Sequence, residues 1–269
     1  KKINLINALN FENYRLNNKK INLIDINYDQ KSAFDKISSK SNVYIQKSFD
    51  TALKILKKNI SNKFINGPIS KKFFLKKKYL GITEYLADKT KTKNFAMLIY
   101  NQHLSVCPLT THLPIKKVSK KINRDLIKEK VKLISIFYKK YLKKKPIMAI
   151  TGLNPHCESN SNLNEDEKII KPTIKSLIKS NYKVSGPYAA DTIFLKKNRK
   201  KYNVIVGMYH DQVLTPLKTI FEYDAINITL GLPFIRVSPD HGPNEKMLGK
   251  NRSNPLSLIK ALTFLDTIK

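Results

Sequence analysis

Three of the five histidines follow apolar, strand-like runs, where side chains from different strands can meet at one edge of a sheet. These are His112, His156 and His210. Ligands of open α/β sheets bind beyond the carboxyl ends of the strands, so three imidazoles placed there are candidates to converge. Neutral imidazole is a common ligand of zinc, cobalt or nickel, and three protein ligands leave positions open for a substrate. The pattern predicts a divalent metal site, with Asp191 and Asp211 as candidate carboxylates that orient the histidines or transfer protons. A hydrogen-bonded structural role for each histidine is the alternative.

A second group of polar residues follows His210. Lys218, Asn227 and Arg236 recur at intervals of nine, and Arg236 lies inside an otherwise apolar segment, residues 232–237. A cation inside a buried segment is costly unless it meets an anion. A guanidinium and an ammonium beside a metal site suit a phosphorylated or carboxylated small molecule. Two structural roles compete with this interpretation: Lys218 extending from a helix into solvent, and Arg236 pairing with Asp240.

The composition is strongly basic but typical of a folded protein. The 269 residues carry a formal net charge of +31, with 41% hydrophobic residues, which is enough apolar material for a core. The lysines are spread along the chain, and no zinc-finger, KH or RRM signature accompanies them, so nucleic-acid binding is disfavoured. No apolar run reaches the roughly 18 residues of a membrane span, and the start shows no signal peptide. The two cysteines do not form a disulfide framework, and a cytoplasmic location is expected.

The glycines exclude the familiar nucleotide-binding loops. All 8 glycines lie at or after Gly67, and no two are separated by a single residue. The dinucleotide fingerprint GxGxxG is therefore absent, and so is the Gly-Lys-Ser/Thr of a P-loop. A nucleotide cofactor would have to bind in another way.

Strand-like and helix-like segments alternate along the chain, which predicts an α/β fold with a largely parallel sheet. The predicted strands are residues 95–100, 104–109, 147–150 and 204–208, with a strand pair within 224–237. The predicted helices are residues 43–60, 114–122, 124–143, 165–180, 211–220 and 255–268. Pro108 is expected to interrupt the second strand.

Several motifs, in order along the chain, resemble the 4-hydroxythreonine-4-phosphate dehydrogenase family of the vitamin B6 pathway. The matching segments are Asn66-Gly67-Pro68-Ile69-Ser70-Lys71, Thr110-Thr111-His112-Leu113-Pro114, Gly152-Leu153-Asn154-Pro155-His156, Ala190-Asp191-Thr192, Met208-Tyr209-His210-Asp211-Gln212, residues 227–236, and Asp240-His241-Gly242. This resemblance runs from about residue 64 to the C-terminus.

The resemblance implies NAD-dependent oxidation of 4-phosphooxy-L-threonine, followed by loss of CO2 to give 3-amino-2-oxopropyl phosphate, with NADP left open as a cofactor. It implies one divalent metal per subunit, zinc, magnesium or cobalt, in a site shared between the subunits of a homodimer. The implied metal ligands are His112, His156 and His210. The implied substrate-binding residues are Thr83, Lys218, Asn227 and Arg236, and the candidate catalytic residues are Asp191, Asp211 and Lys218.

The resemblance also implies a three-layer α/β/α fold like that of isocitrate and isopropylmalate dehydrogenases, with two subdomains. The expected first subdomain is residues 1–77 with 251–269, and the second is residues 78–250. Family members usually begin with a Gly-rich segment, which this chain lacks, so the first strand and helix of the first subdomain are expected to be missing. Ile82 stands where many members have a histidine that touches the substrate.

Three alternatives to this dehydrogenase remain. Ile82 favours a paralogous enzyme that oxidises a phosphorylated four-carbon sugar acid with the same cofactor and metal. The missing Gly-rich segment favours an inactive relative. The charge alone favours a nucleic-acid-binding protein.

Overall fold

The apolar runs predicted as strands form the centre of an eight-stranded sheet in the computed structural model. The structure describes residues 2–7, 16–30, 32–75, 78–159 and 164–268. The ten strands are β1 (Ile3–Asn7), β2 (Ile21–Asp25), β3 (Lys63–Ile65), β4 (Ala96–Tyr100), β5 (Ser105–Thr110), β6 (Met148–Thr151), β7 (Val184–Tyr188), β8 (Val204–Tyr209), β9 (Ile226–Leu230) and β10 (Ile235–Pro239). Each of the predicted strands is present, and β1, β2, β3 and β7 are additions.

The large sheet is mixed, so the prediction of a largely parallel sheet was wrong. Its strand order is β3-β10-β9-β4-β5-β8-β6-β7. The pairs β10/β9, β9/β4 and β4/β5 are antiparallel, and the other four pairs are parallel. Only four residues join β4 to β5 and β9 to β10. Connections this short allow only antiparallel neighbours, because a parallel crossover needs a dozen residues or more.

Pro108 lies within β5 and does not interrupt it. The strand pairs with β8 as far as Thr110, whereas its ladder to β4 has the single pair Ile99–Val106. A proline is tolerated where its missing N–H faces no partner strand. The prediction of an interruption was therefore wrong.

The helices cover both faces of the sheet. They are α1 (Asn42–Lys57), α2 (Ile82–Lys89), α3 (Arg124–Leu142), α4 (Lys171–Lys179), α5 (Ala190–Ile193), α6 (Lys196–Arg199), α7 (His210–Phe221) and α8 (Leu256–Thr267). The predicted helix over 114–122 is instead two 3-10 turns, Ile115–Lys117 and Ser119–Lys121. A π-helical turn, Asp166–Ile170, precedes α4.

Two apolar cores sandwich the sheet, which makes the fold a three-layer α/β structure. Alternate residues of β8 enter opposite cores: Val204 and Val206 join the core beneath α3, α4 and α8, and Ile205 joins the core beneath α7. These side chains are completely buried. Strands buried on both faces read as continuous apolar runs, which explains why the sequence pattern located them.

A separate two-stranded parallel sheet lies near the start of the chain and was not predicted. In β1 and β2, nearly identical sequences pair in register, Ile3 with Ile21 through Asn7 with Asp25. The Asn4 side-chain amide donates to Asn22 at 2.8 Å. Among the described residues, no helix has the length and apolar character that crossing a bilayer requires.

Candidate active site

The carboxyl ends of β5, β8 and β6 lie side by side in the sheet and deliver the three predicted histidines. His112 follows β5, His210 is the first residue of α7 directly after β8, and His156 lies in a 3-10 turn after β6. The rings of His112 and His210 have centroids 6.0 Å apart. The sheet therefore brings two of the three imidazoles to one place.

His112 is held by polar groups on both ring nitrogens. Its Nδ1 lies 3.3 Å from Oε1 of Glu84, which also accepts a hydrogen bond from Oγ1 of Thr111 at 3.1 Å. Its Nε2 lies 3.2 Å from the ammonium of Lys71. A carboxylate only accepts, so Nδ1 carries the hydrogen and Nε2 presents its lone pair to the pocket.

His210 has the same arrangement, because its Nδ1 lies 2.6 Å from Oδ1 of Asp211. Histidines that bind metals usually donate their second ring N–H to a carboxylate or carbonyl. The donor set of His112 and His210 therefore fits a divalent cation. Within the described part of this chain, no group of three His, Cys, Asp or Glu side chains is placed to hold one.

His156 lies apart from this pair on an exposed turn. Its backbone is left-handed, with φ 55°. The buried carboxylate of Asp166 fixes the loop before it by accepting the backbone N–H groups of Leu153 and Asn154 at 2.9 and 3.1 Å. Burial raises the pKa of Cys157, and the charges of Asp166 and Asp191 add to that rise. Asp191 is also exposed and lies near this turn.

Arg236 lies in the floor of the pocket and is only 3% exposed. Its Nε donates to Oδ1 of Asn66 at 2.7 Å and its Nη1 donates to Oγ1 of Thr229 at 2.9 Å. Burial lowers the pKa of Arg236 to about 10, and the charge of Glu84 acts in the opposite direction. Arg236 does not pair with Asp240, and no carboxylate of the described residues forms an ion pair with it.

Lys218 is the partner of Asp240. The Lys218 ammonium donates to the main-chain carbonyl of Asp240 at 2.7 Å and lies 2.9 Å from its Oδ2. Burial raises the pKa of Asp240, and the charges of Lys218, His210 and His241 oppose that rise. Lys218 is thus held at the pocket and does not simply extend into solvent.

Thr83 and Asn227 complete the predicted substrate-binding group. Thr83 is buried in the first turn of α2, with its Oγ1 3.4 Å from that of Thr229. Among the described residues, nothing donates to the buried Oδ1 of Asn227. A buried acceptor without a partner is unusual in a folded protein and is expected where a ligand binds.

These residues surround a cavity of about 340 Å³. Six predicted site residues line it: Thr83, His112, His210, Lys218, Asn227 and Arg236. Asp191, Asp211 and His156 do not. The result is a polar pocket of three cations, Lys71, Lys218 and Arg236, beside two imidazoles.

Sequence reasoning missed four residues that shape this pocket: Asn66, Lys71, Glu84 and Asp240 as the partner of Lys218. Asn66, Lys71 and Asp240 lie within motifs that carry the family resemblance, and that is the signal that could have found them. Glu84 carries the same signal, because it directly follows Ile82 and Thr83, which the family resemblance singled out.

An α/β fold with two imidazoles at adjacent strand ends and three cations in the same pocket is typical of an enzyme that acts on an anionic small molecule. The family model for the pyridoxal phosphate biosynthetic protein PdxA matches residues 1–265. The chain therefore belongs to the PdxA family, and the resemblance is confirmed. It extends over the N-terminal residues as well.

Individual relatives agree with this assignment. A 4-hydroxythreonine-4-phosphate dehydrogenase of Sulfurihydrogenibium sp. (strain YO3AOP1) is 39% identical over 254 residues, 93% of this chain and 77% of the relative. A D-threonate 4-phosphate dehydrogenase of Pectobacterium atrosepticum is 35% identical over 181 residues, 67% of this chain and 56% of the relative. The structure of a putative 4-hydroxythreonine-4-phosphate dehydrogenase from Salmonella typhimurium superimposes with a TM-score of 0.81 at 27% identity, covering 97% of this chain and 81% of that chain.

Several other curated relatives align with this chain over 54 to 63% of their own length. These relatives and the one from Sulfurihydrogenibium are named as dehydrogenases. The family is therefore one of oxidoreductases in pyridoxal phosphate biosynthesis.

Proposed function

We propose that this chain catalyses the NAD-dependent, divalent-metal-dependent oxidation and decarboxylation of 4-phosphooxy-L-threonine to 3-amino-2-oxopropyl phosphate. The observation that carries the proposal is the joining of two predicted groups in one pocket: the carboxylate-paired His112 and His210, and the cations Lys218 and Arg236. Family membership supplies the reaction class.

The cations bind the anionic ends of the substrate. Arg236 uses Nε and Nη1 within the protein, which leaves Nη2 for a phosphate or carboxylate oxygen. Asn227 offers a free acceptor to a substrate hydroxyl or amine. Charge-assisted contacts from several directions restrain the substrate in one reactive orientation.

His112 and His210 would hold the divalent metal through Nε2, and His156 of a second subunit would complete the site in a homodimer. Such a metal, when bound, would act as a Lewis acid on the oxygen of the alcohol group whose carbon is oxidised. Asp211 orients His210. Asp191 lies near His156, on the surface that would contact the second subunit. Lys218, held by Asp240, is the ammonium placed to exchange a proton with the substrate.

A larger groove adjoins the pocket and fits the nicotinamide cofactor. It has a volume of about 980 Å³ and shares Pro68 and Ile69 with the pocket lining. Tyr28 and Tyr44, whose ring centroids are stacked 5.0 Å apart, lie in its wall. Aromatic faces suit the rings of NAD or NADP, and no Rossmann loop is needed. The bound cofactor supplies the acceptor for the hydride.

A second candidate substrate is a phosphorylated four-carbon sugar acid such as D-threonate 4-phosphate. Ile82 lines the pocket and cannot hydrogen-bond through its side chain. A relative named for that substrate is 35% identical to this chain. The substrate amine, which distinguishes the two compounds, is the group whose recognition Ile82 would affect.

Three further expectations belong to this proposal. The fold is of the isocitrate dehydrogenase type, with a first subdomain of residues 1–77 and 251–269 and a second of residues 78–250. This division stays a prediction, because one apolar cluster packs Phe49 and Phe74 on one side of the boundary against Tyr85 on the other. A cytoplasmic location is supported by Cys107 and Cys157, which are both free thiols.

The test is NADH formation by the purified chain with NAD, Co²⁺ and either 4-phosphooxy-L-threonine or D-threonate 4-phosphate. We expect turnover of the first compound to exceed that of the second, and His210→Ala to abolish both metal binding and turnover. Arg252→Ala, which removes one exposed charge, is the control and should leave turnover unchanged. Full turnover and undiminished cobalt content in His210→Ala would contradict the proposal.

A further inference from the structure

We propose that Glu84 is a positioning residue for the metal site: its carboxylate holds His112 in the tautomer and orientation that present Nε2 to the pocket. This inference rests on the proposed function, because it assigns a role to Glu84 through a histidine proposed as a metal ligand. Glu84 itself does not line the substrate pocket.

The geometry places one carboxylate oxygen between two donors. Oε1 of Glu84 accepts from Nδ1 of His112 at 3.3 Å and from Oγ1 of Thr111 at 3.1 Å. The two donors are adjacent in sequence directly after β5, so one acceptor fixes both the end of the strand and the imidazole. With Nδ1 protonated, the lone pair of Nε2 must face the pocket, where the Lys71 ammonium lies 3.2 Å away.

Burial makes this contact firmer than the corresponding one at His210. The side chains of Glu84 and His112 are 18% and 25% exposed, whereas Asp211 beside His210 is 79% exposed. Solvent screens an exposed ion pair and competes for its hydrogen bonds, so Asp211 contributes less than its 2.6 Å distance suggests. Glu84 is thus the main orienting carboxylate of the pair.

The space around Glu84 and His112 is closed by Gly81. A Cβ at position 81 would lie 2.8 Å from Oε2 of Glu84 and 2.9 Å from Cε1 of His112. Gly81 has an extended backbone, with φ −165°, which any residue can adopt. A side chain at position 81 would therefore displace the carboxylate or the imidazole, so the glycine leaves room for their contact.

The same carboxylate also acts on the buried guanidinium of Arg236. Burial lowers the pKa of Arg236, and the charge of Glu84 partly offsets that effect. One side chain thereby influences both halves of the pocket, the imidazole and the cation.

The experiment measures Co²⁺ binding to the full chain by calorimetry, without substrate, in Glu84→Ala and Glu84→Gln. Outer carboxylate partners of metal-binding histidines typically contribute about 10- to 100-fold in metal affinity. We expect a loss in that range for Glu84→Ala and a smaller loss for Glu84→Gln, whose amide oxygen still accepts a hydrogen bond. Asp88→Asn, on the same helix and bonded to Tyr79, is the matched control and should bind cobalt like the unchanged chain.

A spectroscopic readout separates positioning from general destabilisation. With ¹⁵N-labelled histidine, the ring nitrogens of His112 should report a protonated Nδ1 in the unchanged chain and a mixture of tautomers in Glu84→Ala. Undiminished cobalt affinity and an unchanged tautomer in both Glu84 variants, with binding lost in His112→Ala, would overturn the role of Glu84 and leave the proposed function intact. An unchanged chain that binds no cobalt would overturn the proposed function, and the role of Glu84 with it.

Discussion

At the scale of single residues, Arg236 shows how a pocket is prepared for an anion. It is buried, its pKa is lowered to about 10, and its hydrogen bonds go to the neutral Asn66 and Thr229. A buried cation without an anionic partner is unfavourable in the free protein. A bound phosphate or carboxylate would supply the missing charge, so this cost is recovered when the substrate binds.

Arg236→Ala is expected to raise KM by about thirtyfold or more, because loss of one partner from a buried charge pair typically costs about 2–5 kcal/mol. Arg236→Lys should raise KM by less than Arg236→Ala, because an ammonium keeps the charge but cannot donate to both Asn66 and Thr229 as the guanidinium does. Steady-state kinetics with the phosphorylated substrate measures both effects. Arg252→Ala controls for the loss of an exposed positive charge outside the pocket lining, and unchanged KM and kcat in Arg236→Ala would refute the assignment.

Two of the site's side chains show the limit of residue-level reasoning. The type and sequence context of Arg236 predicted a buried cation, and its burial is confirmed. The suggestion that it pairs with Asp240 failed, because Asp240 pairs with Lys218 from α7. Which carboxylate meets which cation depends on the packing of separate elements, and sequence spacing does not contain that information.

At the scale of elements, the loop from Gly152 to His156 is held by a single buried carboxylate. Asp166 lies in the π-helical turn before α4 and accepts from the backbone of Leu153 and Asn154 and from Nδ2 of Asn154 at 2.9 Å. Three donors on one buried acid are a strong local restraint. The sequence had indicated only a helix over residues 165–180.

Asp166→Asn is therefore expected to destabilise the fold by about 1–3 kcal/mol, because the new amide donor faces N–H groups that need an acceptor. Urea unfolding followed by circular dichroism measures the change. Glu167→Gln alters the same charge one residue later, where the side chain is half exposed and paired with Lys171, and should cost under about 1 kcal/mol. Equal stability of the two variants would show that the loop does not depend on Asp166.

Hydrophobic periodicity predicted the positions of helices better than the pairing of strands. Periodicity predicted α1, α3 and α7 because each buries one face against the sheet. It did not predict the antiparallel pairs of the sheet, nor β1 and β2, whose alternating Ile, Leu and Asn residues form a small sheet of their own. Strand direction and partner are decided by connections and packing, which a local pattern does not report.

At the scale of the whole molecule, the distribution of the histidines argues for a site completed by a second copy. His112 and His210 share a pocket, and His156 lies on a separate exposed turn with Asp191 nearby. In the proposed homodimer, two-fold symmetry would make the two sites equivalent, each with the turn of one subunit at the pocket of the other.

Mixing two inactive variants tests this arrangement. His156→Ala and His210→Ala, unfolded and refolded together in equal amounts, should recover about a quarter of wild-type activity, because half of the dimers are hybrids with one intact site of two. His112→Ala mixed with His210→Ala is the matched control and should recover nothing, since those histidines belong to the same pocket. Recovery in neither mixture, with hybrid dimers demonstrated by mass spectrometry, would contradict a shared site.

The net charge of +31 also takes its meaning from the whole molecule. The family accounts for the chain without a nucleic-acid partner, so the lysine surplus is best understood as a surface property that also attracts anionic substrate and cofactor. Three of the cations line the pocket to which an anionic substrate would be attracted: Lys71, Lys218 and Arg236.

The sequence by itself determined the fold class, most of the helices and strands, the family, and the residue types of the site. These depend on local periodicity and on short motifs, which are contiguous in the chain. Only the tertiary structure decided that His112 meets His210 and not His156, that Glu84 orients His112, and that Lys218 holds Asp240. Those pairings join segments tens of residues apart, and they exist because the mixed sheet brings particular strand ends together.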